Sequence, residues 1–103
     1  MVYVRVSHMV PRAGQEARVL EILSKLSEFY ATQPGYQSGW RLEPHEGADP
    51  VRLGRVGVWA TEDDAERAAQ QDHAMSLRSE LIRLVDEDSH LELTFRGTPD
   101  VAK

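Results

Sequence analysis

Residues 2–10, Val-Tyr-Val-Arg-Val-Ser-His-Met-Val, alternate with a period of two, and both sets of alternating positions carry bulky apolar side chains. Val2, Val4, Val6, His8 and Val10 point one way; Tyr3, Arg5, Ser7 and Met9 point the other. The β-branched content and the period define a strand, ended by Pro11 and Gly14. The same double-sidedness recurs in residues 51–60, where Val56 and Val58 oppose Leu53 and Trp59. A sheet of such strands needs cover on both faces, and the chain has helical sequence for only one.

That helical sequence comes in two parts. Residues 15–31 place Val19, Leu20, Leu23, Leu26 and Tyr30 on one stripe, with Ile22 and Phe29 at its edge and charged residues opposite. Pro34-Gly35 stops this helix. Residues 36–43 form the second strand, with Tyr36, Ser38, Trp40 and Leu42 expected on one face. Residues 44–50 are an acidic loop that makes a hairpin with the third strand, 51–60, inside which Gly54 and Gly57 predict a bulge or a close neighbour. Thr61 then precedes three acids, a capped helix start with Asp64 in the capping-box position. A further helical stretch covers about residues 73–85, and whether it joins the capped helix or breaks near Asp72 is open. Residues 91–95 are the last strand.

The order is β-α-β-β-α-α-β. Split as two right-handed βαβ units, it predicts an α+β, ferredoxin-like βαββαβ fold: a four-stranded antiparallel sheet with helices on one face. The chain of 103 residues fits one domain, expected over residues 1–97 with a tail at 98–103. Whichever face the helices leave open retains an apolar patch larger than a soluble monomer usually shows. At ~25 cal/mol per Å², covering a few hundred Å² per chain is worth on the order of 10 kcal/mol before association costs. The expected partner is a second copy, sheet to sheet, forming a dimeric α/β barrel.

Charge and composition remove other classes. A net charge of −5, with 12 Lys and Arg scattered among 17 Asp and Glu, lacks the basic stripe that nucleic acid or an anionic membrane requires. With no cysteine there is no disulfide scaffold, thiolate metal site or Cys nucleophile. The N-terminal segment lacks the pattern of a signal peptide, and a cytoplasmic location is expected. No His pair shows metal-ligand spacing, and no P-loop or GxGxxG occurs. Neither a metal nor another cofactor is expected.

Three segments carry a family resemblance: the Val-rich first strand leading into a Gly-started helix, the Pro34-Gly35-Tyr36 step into the second strand, and Val58-Trp59-Ala60-Thr61-Glu62-Asp63-Asp64-Ala65, in which a Trp closes the third strand ahead of a capped helix. Across about residues 2–96 the chain resembles the antibiotic biosynthesis monooxygenase family of the dimeric α+β barrel superfamily. The resemblance implies the barrel fold and a range of activities, including cofactor-independent oxygenation of quinols and anthrones, heme degradation and autoinducer processing. His73 falls where many members carry a His. The heme-degrading branch uses an Asn on the first strand and a His on the last helix. This chain contains no Asn, and Ser7 and Arg78 fall near those two positions.

The candidate chemistry rests on few residues. His73 and His8 are possible general bases, because an unperturbed His titrates near neutral pH. Each also has a structural reading, a helix-start His and a buried His bonded to backbone. His90 reads as structural and His45 as a solvated loop residue. Arg55 shares a strand face with Trp59, and Arg5 with Tyr3 and Ser7; either guanidinium could stabilise an enolate or phenolate oxygen. Trp59, Tyr3 and Trp40 could wall a flat substrate. The expected function is a cofactor-independent monooxygenase of a small aromatic, quinol-like or enolisable compound. The alternatives are a non-catalytic small-ligand-binding or stress-associated barrel, an isomerase using the same base without O2, and a heme degrader. A binding module would have both arginines neutralised by acids.

Overall fold

The structure, a computed structural model, describes residues 1–101; residues 102–103 of the expected tail lie outside the described residues. The elements are β1 (Val2–Met9), α1 (Glu16–Tyr30), β2 (Tyr36–Leu42), β3 (Leu53–Trp59), α2 (Glu62–Ala69), α3 (Asp72–Arg83) and β4 (Leu91–Gly97). The four strands form one antiparallel sheet in the order β2-β3-β1-β4. This is the ferredoxin-like α+β arrangement expected from the sequence.

Helix α1 buries Val19, Ile22, Leu23, Leu26 and Tyr30. Ile22 therefore belongs to the centre of the stripe and Leu20 to its margin, the reverse of the expected assignment. Ile22 lies three residues past Val19 and four before Leu26, which stacks all three on one side of the helix. Met9, Val19, Ile22 and Leu23 form the fully buried heart of the core.

Thr61 caps α2: its Oγ1 accepts from the Asp64 backbone N–H at 3.1 Å and donates to Asp64 Oδ2 at 2.9 Å. The acid of this capping box returns to the hydroxyl. Helices α2 and α3 are separate, because Gln71 is extended at φ −66° and ψ 143°. Its side chain donates to the Arg67 carbonyl at 3.1 Å and satisfies the end of α2. Ala65, Ala68 and Ala69 let α2 lie close to its neighbours.

Of the two alternatives expected for the glycines of β3, the close neighbour is the one found, at Gly54, while the sheet's bulge lies in β2. Tyr36 pairs with Trp59, but Ser38 pairs with Val58, so a bulge at Gln37 intervenes. Tyr36 consequently turns to the helix side, away from Ser38, Trp40 and Leu42. In β3, Gly54 is required by close approach: a Cβ there would stand 2.1 Å from the Ser7 carbonyl oxygen.

The register sorts the faces. Beneath the helices lie Tyr3, Arg5, Ser7 and Met9 of β1 with Leu53, Arg55, Gly57 and Trp59 of β3. The uncovered face carries a cross-strand row Trp40–Val56–Val6–Leu93, flanked by Ser38–Val58–Val4–Phe95 and Leu42–Gly54–His8–Leu91. Trp40, Leu93 and Phe95 are 57%, 47% and 54% exposed. The covered side thus holds the sheet's arginines, and the bare side its valines together with Leu91, Leu93, Phe95 and Trp40.

Candidate functional site

Between sheet and helices lies a cavity of about 70 Å³. Its floor is Arg5 and Ser7 of β1 with Arg55 and Trp59 of β3. Its roof is Leu23, Leu26 and Tyr30 of α1, Ala65 of α2, and Arg78, Leu81 and Ile82 of α3. His90 and Glu92 close one side.

Arg55 dominates the floor. It is 7% exposed. Its Nε donates to Ser27 Oγ at 3.2 Å, its guanidinium carbon is 4.9 Å from the centre of the Tyr30 ring, and its Nη2 has no hydrogen-bond partner among the described residues. Burial holds its pKa below the ordinary arginine value, opposed by the fields of Tyr30 and Tyr36. An arginine nevertheless stays charged at neutral pH. The guanidinium lies over two glycines that pair across strands, Gly39 and Gly57. A Cβ at Gly57 would stand 3.5 Å from its Nη1, and one at Gly39 3.3 Å from its Nη2. The bare Cα of Gly39 leaves Nη2 its room, whereas a Cβ at Gly57 would only touch Nη1 at ordinary contact distance.

Arg5 is arranged differently. Its Nη2 donates to the Tyr3 hydroxyl at 2.9 Å and pairs with Glu66, and its Nε is 3.0 Å from Glu92 Oε1. Burial works against its charge, but the bonds to Tyr3 and Glu66 and the field of Glu92 outweigh it and raise the pKa. One strand arginine is therefore neutralised by acids, and the other, among the described residues, has no acid partner.

The walls are aromatic. Trp59 meets Tyr30 edge-on, with centroids 5.7 Å apart, and Tyr36 at 5.4 Å. Burial raises the Tyr30 pKa, which keeps that hydroxyl protonated.

Of the residues singled out in the sequence, the structure brings Arg5, Ser7, Arg55 and Trp59 together at the cavity, with Tyr3 bonded behind Arg5. It does not bring in the other three. His73 is exposed at the start of α3, its ring 5.0 Å from that of Phe29. His8 is on the opposite sheet face, with Nδ1 3.1 Å from Arg52 Nη1, because its parity is that of Val4 and Val6. Trp40 lies on that same outer face. The histidine at the cavity is His90, read from sequence as structural. It shares the parity of Glu92, the register partner of Ser7 on the inner face, so the strand pairing was the signal that could have found it. Tyr30 and Arg78 were also missed as lining residues; helix periodicity places them toward the core without showing that a void lies there.

No family model matches this chain, and no curated protein matches it in sequence. Its likeness is to solved structures. SnoaB, a cofactor-independent oxygenase from Streptomyces nogalater, superposes with a TM-score of 0.81 at 19% identity, covering 99% of this chain and 98% of that one. A candidate antibiotic biosynthesis monooxygenase from Nitrosomonas europaea superposes at 0.84 with 16% identity, over 98% and 94%. A dimeric ferredoxin-like protein of unknown function from Jannaschia sp. CCS1 superposes at 0.82 with 11% identity, over 94% and 100%. At these identities the likeness establishes the fold, the one shared by antibiotic biosynthesis monooxygenase-like proteins.

Proposed function

We propose that the protein is a cofactor-independent monooxygenase acting on a small enolisable or phenolic compound in the cavity between sheet and helices. The observation that carries this reading is the convergence of a histidine, His90, and a buried arginine, Arg55, that has no acid partner among the described residues, on one aromatic-walled void. The fold shared with SnoaB supports it.

His90, in place of His73 or His8, removes a proton from an activated CH2 group. Arg55 holds the resulting enolate oxygen, with Trp59 and Tyr30 as walls. The enolate gives one electron to O2, and the carbon radical and superoxide join as a peroxide that takes a proton from His90. Loss of the remaining hydrogen on that carbon as a proton, with cleavage of the O–O bond, releases water and leaves a carbonyl. The balance is CH2 + O2 → C=O + H2O, with the four electrons supplied by the substrate.

The apolar outer face and the dimeric neighbour support a homodimer joined through the sheets, and the absence of cysteine fits the cytoplasm. Oxygen uptake with a panel of small enolisable acids and ketones, with quinols and anthrones as its larger members, tests the activity. Uptake that falls at least tenfold in His90→Ala is expected, and no uptake from any member overturns the reading.

The volume favours a second reading. About 70 Å³ is well below the ~300–1,000 Å³ of ordinary small-molecule sites, as expected of a barrel that binds a small ligand without transforming it. Ligand retention with no turnover would select it.

A further inference from the structure

The cavity has a charge character opposite to that of the whole chain. The protein carries a net charge of −5, yet three guanidinium groups, Arg5, Arg55 and Arg78, line the void against one carboxylate, Glu92. Glu92 is already engaged: its Oε1 is 3.0 Å from Arg5 Nε and its Oε2 is 3.9 Å from Arg78 Nη2. Glu66 reaches Arg5 from outside the cavity. Arg55 remains, with its Nη2 against the bare Cα of Gly39.

A buried cation is stable in a fold when an opposite charge or a set of acceptors stands beside it. Among the described residues Arg55 has one hydroxyl acceptor, Ser27 Oγ, and a ring face. We propose that the missing counter-charge is the ligand: the cavity binds a small organic monoanion through its carboxylate, docked against Arg55. A planar carboxylate matches the two-donor edge of a guanidinium. The volume limits the rest of the molecule to a few heavy atoms beyond that group. Trp59 and Tyr30 supply apolar walls for such a remainder and add no competing charge. Leu23, Leu26 and Leu81 make the roof unfit for a polyanion such as a nucleotide, whose further phosphates would lie against hydrocarbon.

This inference rests on the cavity being the ligand site of the proposed function, and it narrows the substrate to an acid whose activated CH2 adjoins the carboxylate, so that the oxygens Arg55 holds are the ones that take on enolate character. It requires no oxygen chemistry, so the two stand or fall separately. The test is titration of the protein with acetate and propionate and with their neutral isosteres acetamide and propionamide. The readouts are the Nε–Hε correlation signals of the arginines by NMR and the melting temperature. The expected result is saturable movement of the Arg55 signal and a rise in melting temperature with the two acids, and at least tenfold weaker binding of the amides. Arg55→Met is expected to abolish the acid-dependent shift, and Arg55→Lys to weaken it while keeping the preference for acid over amide. Equal binding of acids and amides, acid binding unchanged in Arg55→Met, or no saturable binding of either acid overturns the proposal. If Arg55→Met does not fold, the acid–amide comparison on the unaltered protein and on Arg55→Lys decides. Acid binding with no oxygen uptake from any substrate rejects the oxygenase and leaves the anion site standing.

Discussion

The guanidinium of Arg55 and the ring of Tyr30 face one another at 4.9 Å, a buried cation held against an aromatic face on a strand otherwise packed into the core. A desolvated cation–π contact is worth about 2 kcal/mol. Tyr30→Phe keeps the ring and is expected to cost less than about 1 kcal/mol. Tyr30→Leu is expected to cost about 2 kcal/mol or more. In an Arg55→Met background the Tyr30→Leu penalty should shrink by about 1–2 kcal/mol. Urea denaturation of the four proteins of this cycle measures the coupling.

The glycines of the sheet are not equivalent. At Gly39 an added Cβ meets the Tyr36 hydroxyl oxygen at 2.5 Å, the movable end of a side chain, and only then the Val56 carbonyl oxygen at 3.0 Å and Arg55 Nη2 at 3.3 Å. Gly39→Ala is expected to fold at a cost of about 1–3 kcal/mol. At Gly54 the Cβ meets the Ser7 carbonyl oxygen at 2.1 Å and His8 Cα at 2.9 Å, both backbone. Gly54→Ala can be accommodated only by parting β1 from β3, with an expected loss of about 3 kcal/mol or more. Denaturation midpoints of the two variants should differ in that order.

Acid sensitivity has an identifiable surface source. The Arg18 side chain holds Glu80 through two bonds, Nε to Oε2 at 2.6 Å and Nη2 to Oε1 at 2.7 Å. The Arg18 hydrogen bond lowers the Glu80 pKa below its ordinary value of 4.5. A carboxylate depressed in the folded state binds fewer protons there than in the unfolded chain, so its contribution is complete above pH 4.5 and is lost as pH falls through the folded value. Melting temperature followed from pH 6 downward should therefore fall less steeply below pH 4.5 in Glu80→Gln than in the parent.

The outer face gives a prediction about assembly. Leu93 sits in the row Trp40–Val56–Val6–Leu93 and is 47% exposed in the single chain. Leu93→Glu places a charge at the proposed interface between copies. Light scattering is expected to give the mass of two chains for the parent and one chain for the variant, with the helical circular dichroism unchanged.

Much of the fold was legible because its signals are local. The period-two strands, the α1 stripe and the Thr61 cap are each written within about a dozen residues and the β2–β3 hairpin within about two dozen, and all recur in the structure. The bulge at Gln37 was not legible, since nothing in Tyr-Gln-Ser-Gly-Trp marks an extra residue until β3 is laid beside it. The site was half legible. Arg5, Ser7, Arg55 and Trp59 share faces that alternation alone assigns. His90 enters the cavity only through the pairing of β4 with β1, a relation between residues more than eighty positions apart. His73 and His8 were chosen for their side-chain chemistry, and parity and packing directed both elsewhere.

The placement of arginines beneath the helices and of valine, leucine and phenylalanine on the bare side has a thermodynamic corollary. A chain built this way has its driest surface where only another molecule can shield it, and with the proposed pairing of copies on that face the folded population follows the law of mass action. Dilution then acts on this protein as a mild denaturant does on others, and its melting point should climb with each decade of concentration.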